Sequence, residues 1–213
     1  ETVDFVGLGF ELAFKYLNPV MILSDGVIGQ MMEKVVLPPF QKRRTNEEVD
    51  KECPWAARGR KNGRKLNVVT SLELDSAVME KNNLRFQEKY KKIEAAEIRY
   101  EEFMCDDADY ILVAFGSAAR VCQKVIQLAR EEGIKLGLLR PITLWPFPTE
   151  IIAEHAGKVK GFLSVELNAG QMVEDVRLAV NGKVPVEHFG RLGGIVFTPD
   201  EVLEGLKEKL INK

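Results

Sequence analysis

The sequence predicts an α/β protein: a three-layer, mostly parallel sheet with helices on both faces. Three observations carry this. Residues 110–115, YILVAF, form a short apolar, β-prone run of the kind buried on both faces of a parallel sheet. Gly116-Ser117 then opens a run in which Ala118, Val121, Cys122, Val125, Leu128 and Ala129 recur at helical spacing, with Gly133 where a C-terminal cap belongs. Residues 134–139 are a second apolar strand, so strand, helix and strand follow closely enough to make a βαβ unit.

The rest of the C-terminal half extends the pattern. Thr149 caps a short helix ending near Gly157, and 161–166 is a third strand. Asn168-Ala169-Gly170-Gln171 turns into a helix running to about Val180, and 184–189 is a fourth strand. Thr198-Pro199-Asp200-Glu201 is a helix start, with a capping hydroxyl, proline at the first position and acids in the first turn. Val202, Leu203, Leu206 and Leu210 supply its buried face. Residues 106–213 thus read as one complete small α/β domain.

The N-terminal half is less regular. Val3, Val6, Phe10, Ala13, Phe14 and Leu17 make a helical stripe that Asn18-Pro19 stops. Residues 20–23 read as a short buried strand and 28–36 as a helix, a partial α/β unit whose lone strand needs partners elsewhere. Residues 41–65 hold nine Lys/Arg and four Asp/Glu with few apolar residues, a linker composition. Residues 82–103 read as a long helix bridging two domains, with Phe86, Tyr90, Ile93, Ala96, Tyr100 and Phe103 on one face. The expected division is 1–40, 41–105 and 106–213. The chain opens with Glu1 in mid-pattern, which suggests a missing N-terminal part.

Composition excludes several classes. Thirty Lys+Arg against 32 Asp+Glu leave a net charge of −2, unlike a general nucleic-acid or membrane binder. No apolar run approaches the roughly 20 residues of a membrane span. Cys53, Cys105 and Cys122 have neither metal-ligand nor iron–sulfur spacing, and His155 and His188 are too few for a typical zinc site, so no metal site is expected. The odd cysteine count suits a reducing cytoplasm. Ser117 lies in GSA rather than GxSxG, and neither GxGxxG nor a Walker motif occurs.

One constellation stands out. Glu166, Asn168 and Gln171 follow a buried strand and open a helix, whose free N–H groups favour an anion or polar partner. Arg140 ends a neighbouring strand by sequence order. If strands 134–139 and 161–166 are close, Arg140 can pair with Glu166, either as a working pair or as a buried ion pair that fixes the crevice.

Residues 18–31 (NPVMILSDGVIGQM), 140–148 (RPITLWPFP) and 165–177 (VELNAGQMVEDVR) resemble the α subunit of the 2-oxoacid:ferredoxin oxidoreductases, and 67–93 is similar to the interdomain part of its branched-chain, 2-oxoisovalerate member. The resemblance implies a cytoplasmic enzyme of anaerobes. It decarboxylates a 2-oxoacid on thiamine diphosphate, forms acyl-CoA and passes electrons through iron–sulfur clusters to ferredoxin. Residues 1–40 would be the remnant of a pyrimidine-binding α/β domain, and 106–213 a transketolase C-terminal-like domain. A β subunit would carry the diphosphate and Mg2+ site, and γ and δ subunits the clusters.

No catalytic residue falls in this stretch on that reading. Arg140, Glu166, Asn168 and Gln171 would line the substrate or CoA crevice or an interface, and Asp25, Gly26 and Gln30 would lie near a subunit interface. Ser24-Asp25-Gly26 resembles the GDG of a thiamine diphosphate motif but lacks its first Gly and a suitably placed Asn, so a turn is expected there instead of a Mg2+ site. The chain alone is expected to be inactive and to bind the cofactor weakly. Two alternatives stay open: an E1β-type subunit of a 2-oxoacid dehydrogenase, and a non-catalytic α/β interaction module.

Overall fold

The computed structural model describes every residue except 61, 62, 64 and 213. Part of the basic linker 41–65 therefore lies outside the described residues. Internal packing divides the chain into one unit of residues 1–20 with 33–89 and a second of 21–32 with 90–213. Residues 21–32, expected with the first segment, pack with the second unit.

The first unit is helical. Helix α1 (Thr2–Tyr16) ends at Leu17, whose left-handed backbone (φ 47°) closes the last turn ahead of Asn18-Pro19. Helix α3 (Asn46–Glu52) forms inside the expected linker because Thr45 and Glu48 make a reciprocal capping box. Residues 66–70 form no strand.

Residues 21–32 open the second unit. The expected strand at 20–23 does not form, and Met21 and Leu23 are mostly exposed. A single strand has no ladder to join, and the segment carries no regular secondary structure. Helix α2 (Gly26–Gln30) is shorter than expected.

The long helix also ends early. Helix α4 spans Ser76–Ala96, and residues 100–103 instead form strand β1 (Tyr100–Phe103), antiparallel to β3 (Leu136–Pro141). Tyr100 and Phe103 fit the helical stripe by spacing, but pairing with β3 decides their conformation.

The sheet runs β1-β3-β2-β4-β5, with β2 (Tyr110–Val113), β3, β4 (Gly161–Glu166) and β5 (Val186–Gly190) parallel. Helices α5 (Gly116–Glu131) and α8 (Pro199–Leu206) cover one face, packed on Leu112, Leu138, Leu163 and Val165. Helices α6 (Thr149–His155) and α7 (Met172–Val180) cover the other, on Ile111, Val113, Leu139 and Phe162. The central strands are buried on both sides, as their continuous apolar runs require. This is the expected three-layer α/β domain. Among the described residues no helix is long and apolar enough to cross a membrane.

Candidate functional site at the sheet switch point

From β2 the chain moves to β3 on one side and later returns to β4 on the other. Loops after β2 and β4 therefore leave toward opposite sides, which makes this the switch point at which α/β proteins bind ligands. Two helices point their N-termini at it, α5 after β2 and α7 after β4.

The chain fills both helix ends with its own carboxylates. Glu166, 2% exposed at the end of β4, accepts N–H bonds from Gln171 (3.0 Å), Met172 (2.9 Å) and Val173 (2.9 Å), and the Ser164 hydroxyl at 2.8 Å. Burial raises its carboxyl pKa, but these donors outweigh burial and hold it below the ordinary glutamate range. Asp25 caps α2 through Ile28 N–H (2.8 Å) and also accepts the Ser117 N–H of α5 at 3.2 Å. Burial again acts upward, and the bonds from Ile28 and Ser117 lower it below the aspartate range. Gly116, at φ +59°, lets α5 come close: a Cβ there would lie 3.3 Å from Asp25 Oδ2.

Glu166, Asn168 and Gln171 are thus together, as expected. Asn168 Oδ1 accepts the Gly170 N–H at 2.7 Å and shapes the loop. Gln171 takes the cap position of α7 but contributes its backbone N–H rather than its side chain. Arg140 is not with them. Strand β2 lies between β3 and β4, so Arg140 cannot reach Glu166, and it pairs with Glu101 across the β1–β3 edge at 2.9 Å. With Glu101 largely exposed, such a pair contributes about 1 kcal/mol or less. Asp25 and Gly26 lie at the start of α2, and Gln30 ends it.

Two groups escape the sequence reading. His188, opposite Ser164 on β5, has a buried Nε2 without a hydrogen-bond partner, close to Gly190 and Gly170. His155, the last residue of α6, is buried, and its Nε2 lies 2.5 Å from Glu102 Oε1 with Cys105 Sγ close by. Glu102 and Cys105 are three apart, and His155 follows some fifty residues on, so no local spacing announces the group.

The site fits neither a diphosphate–Mg2+ group nor an iron–sulfur cluster. Both anion-binding helix ends are taken internally, and the two Asp25 oxygens are engaged by backbone N–H groups. Cys122 is enclosed by the apolar α5 core, where burial pushes its thiol pKa far up, away from the thiolate that ligation needs.

The fold and its switch-point crevice define an α/β domain of a class with known members. Residues 108–202 match the family described as pyruvate:ferredoxin oxidoreductase core domain II. Nearly the whole chain is homologous to subunits of 2-oxoacid oxidoreductases. It is 44% identical over 211 residues, 98% of its length, to ketoisovalerate oxidoreductase subunit VorB of Methanothermobacter thermautotrophicus. Against 2-oxoglutarate synthase subunit KorA of the same organism it is 29% identical over 95% of its length. The chain spans 57% of the VorB subunit and 59% of the KorA subunit. The structure of 2-oxoglutarate:ferredoxin oxidoreductase from Magnetococcus marinus, with 2-oxoglutarate, coenzyme A and succinyl-CoA bound, shares the fold. Its TM-score is 0.58 at 21% identity, over 72% of this chain and 28% of that one.

Proposed function

We propose that this chain is the C-terminal part of the α-type subunit of a thiamine-diphosphate-dependent 2-oxoacid:ferredoxin oxidoreductase acting on 2-oxoisovalerate. The enzyme forms acyl-CoA and CO2 and passes electrons to ferredoxin. The observation that carries the substrate choice is the gap between 44% identity to VorB and 29% to KorA from one organism. On this reading residues 1–40 belong to a pyrimidine-binding domain, 41–105 link and bridge, and 106–213 are the transketolase C-terminal-like domain.

The chain then supplies architecture rather than chemistry. Its helix ends are neutralised internally, so cofactor, diphosphate and Mg2+ sites fall to a β subunit, and clusters to γ and δ subunits, in the cytoplasm. Glu166, Asn168 and Gln171 form one rim of a crevice for CoA or substrate. The segment around Asp25, Gly26 and Gln30 lies near a subunit interface, with Arg140 on β3, one strand in from the β1 edge of the sheet. Met32, Val36, Phe40 and Leu74 are at least 86% exposed, apolar surface of the kind that partner subunits cover.

Anaerobic affinity purification of the tagged protein from its own cells tests assembly. It should bring down partner subunits with iron–sulfur absorption and thiamine diphosphate in the same peak. A lipoyl-bearing partner, or a chain that elutes alone, would contradict the assignment.

A further inference from the structure

On the α6/α7 side of the domain, Glu102, Cys105 and His155 bring one ligand atom each to within 4.8 Å of one another. They come from three elements: the end of the edge strand β1, the turn after it, and the last turn of α6. Cys105 and His155 are buried, whereas the Glu102 side chain is 34% exposed and leaves a path from solvent. We propose that these three side chains form a zinc-type divalent-cation site that ties the antiparallel edge strand to α6.

The donor set selects the ion class. One thiolate, one imidazole and one carboxylate suit Zn2+ far better than Mg2+ or Ca2+, which prefer oxygen alone. Three protein ligands leave the fourth tetrahedral position to water.

The turn that carries Cys105 is already rigid. Arg130 grips it with bonds of 2.7 and 3.2 Å to the Asp107 carboxylate and one of 2.9 Å to Met104 O. Met104 takes a left-handed backbone (φ 56°), and the turn presses on Gly137, where a Cβ would lie 2.9 Å from Met104 O and 3.1 Å from Cys105 Sγ. The Cys105 turn is thus held in place and His155 is buried, whereas Glu102 is the more exposed third ligand.

Bond lengths set what must move. Zinc–nitrogen and zinc–oxygen bonds of about 2.0 Å in a tetrahedron place their donors roughly 3.3 Å apart. His155 Nε2 and Glu102 Oε1 stand 2.5 Å apart without the ion, so binding opens this pair by roughly 0.8 Å, within reach of a change of rotamer in a glutamate one-third exposed. The competing arrangement is a plain His155–Glu102 hydrogen bond beside the Cys105 side chain.

The test uses the chelator-treated 213-residue chain. Titration with Zn2+ against a chromophoric chelator should show one equivalent bound at micromolar affinity or tighter. Co2+ in its place should give tetrahedral visible absorption together with a sulfur-to-cobalt charge-transfer band. Cys105→Ser should abolish that band and weaken Zn2+ binding by about tenfold or more, and Glu102→Gln, a surface change, should weaken it less. Cys53→Ser and Cys122→Ser should leave the band intact. A wild-type chain that binds no stoichiometric Zn2+ at micromolar free ion, or whose cobalt complex lacks the sulfur band, overturns the site. So does Zn2+ binding unchanged in a folded Cys105→Ser chain.

Discussion

Glu166→Gln should lower the unfolding free energy at neutral pH by about 3 kcal/mol, read by chemical denaturation. The carboxylate meets three backbone N–H groups and a hydroxyl in a buried position. A glutamine offers one acceptor oxygen, and its amide N–H2 points donors at donors. At least one N–H at the start of α7 then loses its partner out of reach of water, which is where most of the cost arises.

The effect has a pH signature. The folded carboxyl titrates below the ordinary glutamate value, so its contribution is complete above the unfolded pKa and is lost as pH falls through the folded one. The gap between wild type and variant should therefore be full at pH 7 and shrink in acid. Equal stability at neutral pH would show that α7 does not need its internal anion.

Gly190→Ala should destabilise the domain by about 2–3 kcal/mol. The added Cβ would sit 2.4 Å from Asn168 O and 2.7 Å from His188 Cε1. The first contact is with backbone, in a loop whose two sides are held by Asn168 to Gly170 N–H and by Glu166 to the α7 amides, so the loop cannot simply swing away. The substitution moves the crevice rim itself. Gly7→Ala is the matched control. Its Cβ meets nothing within 4 Å inside α1, and it should gain up to about 1 kcal/mol from helix propensity. Wild-type stability in Gly190→Ala would mean the rim is soft.

The C-terminal half was legible because its signals are local. Apolar runs at 110–113 and 161–166, the helical period of α5 and the Thr198–Glu201 capping box each state their own structure. Strand β1 was not legible, since YEEF is an edge strand that exists only by pairing with β3. Glu166, Asn168 and Gln171 were found by their place after a strand. The partner of Glu166 was misread because strand order is not chain order: β2 intervenes, and the charge lands on helix amides instead of Arg140. Glu102, Cys105 and His155 were invisible for the same reason, being joined by the sheet edge and the end of α6 rather than by spacing.

Substrate turnover tests the functional reading most directly. The assembled enzyme containing this sequence, supplied with CoA and oxidised ferredoxin, should convert 2-oxoisovalerate with a kcat/KM at least about tenfold above that for 2-oxoglutarate. Product should appear as branched acyl-CoA and CO2, with ferredoxin reduced in step. Preference for 2-oxoglutarate, or turnover that requires NAD+ and a lipoyl carrier in place of ferredoxin, would contradict it.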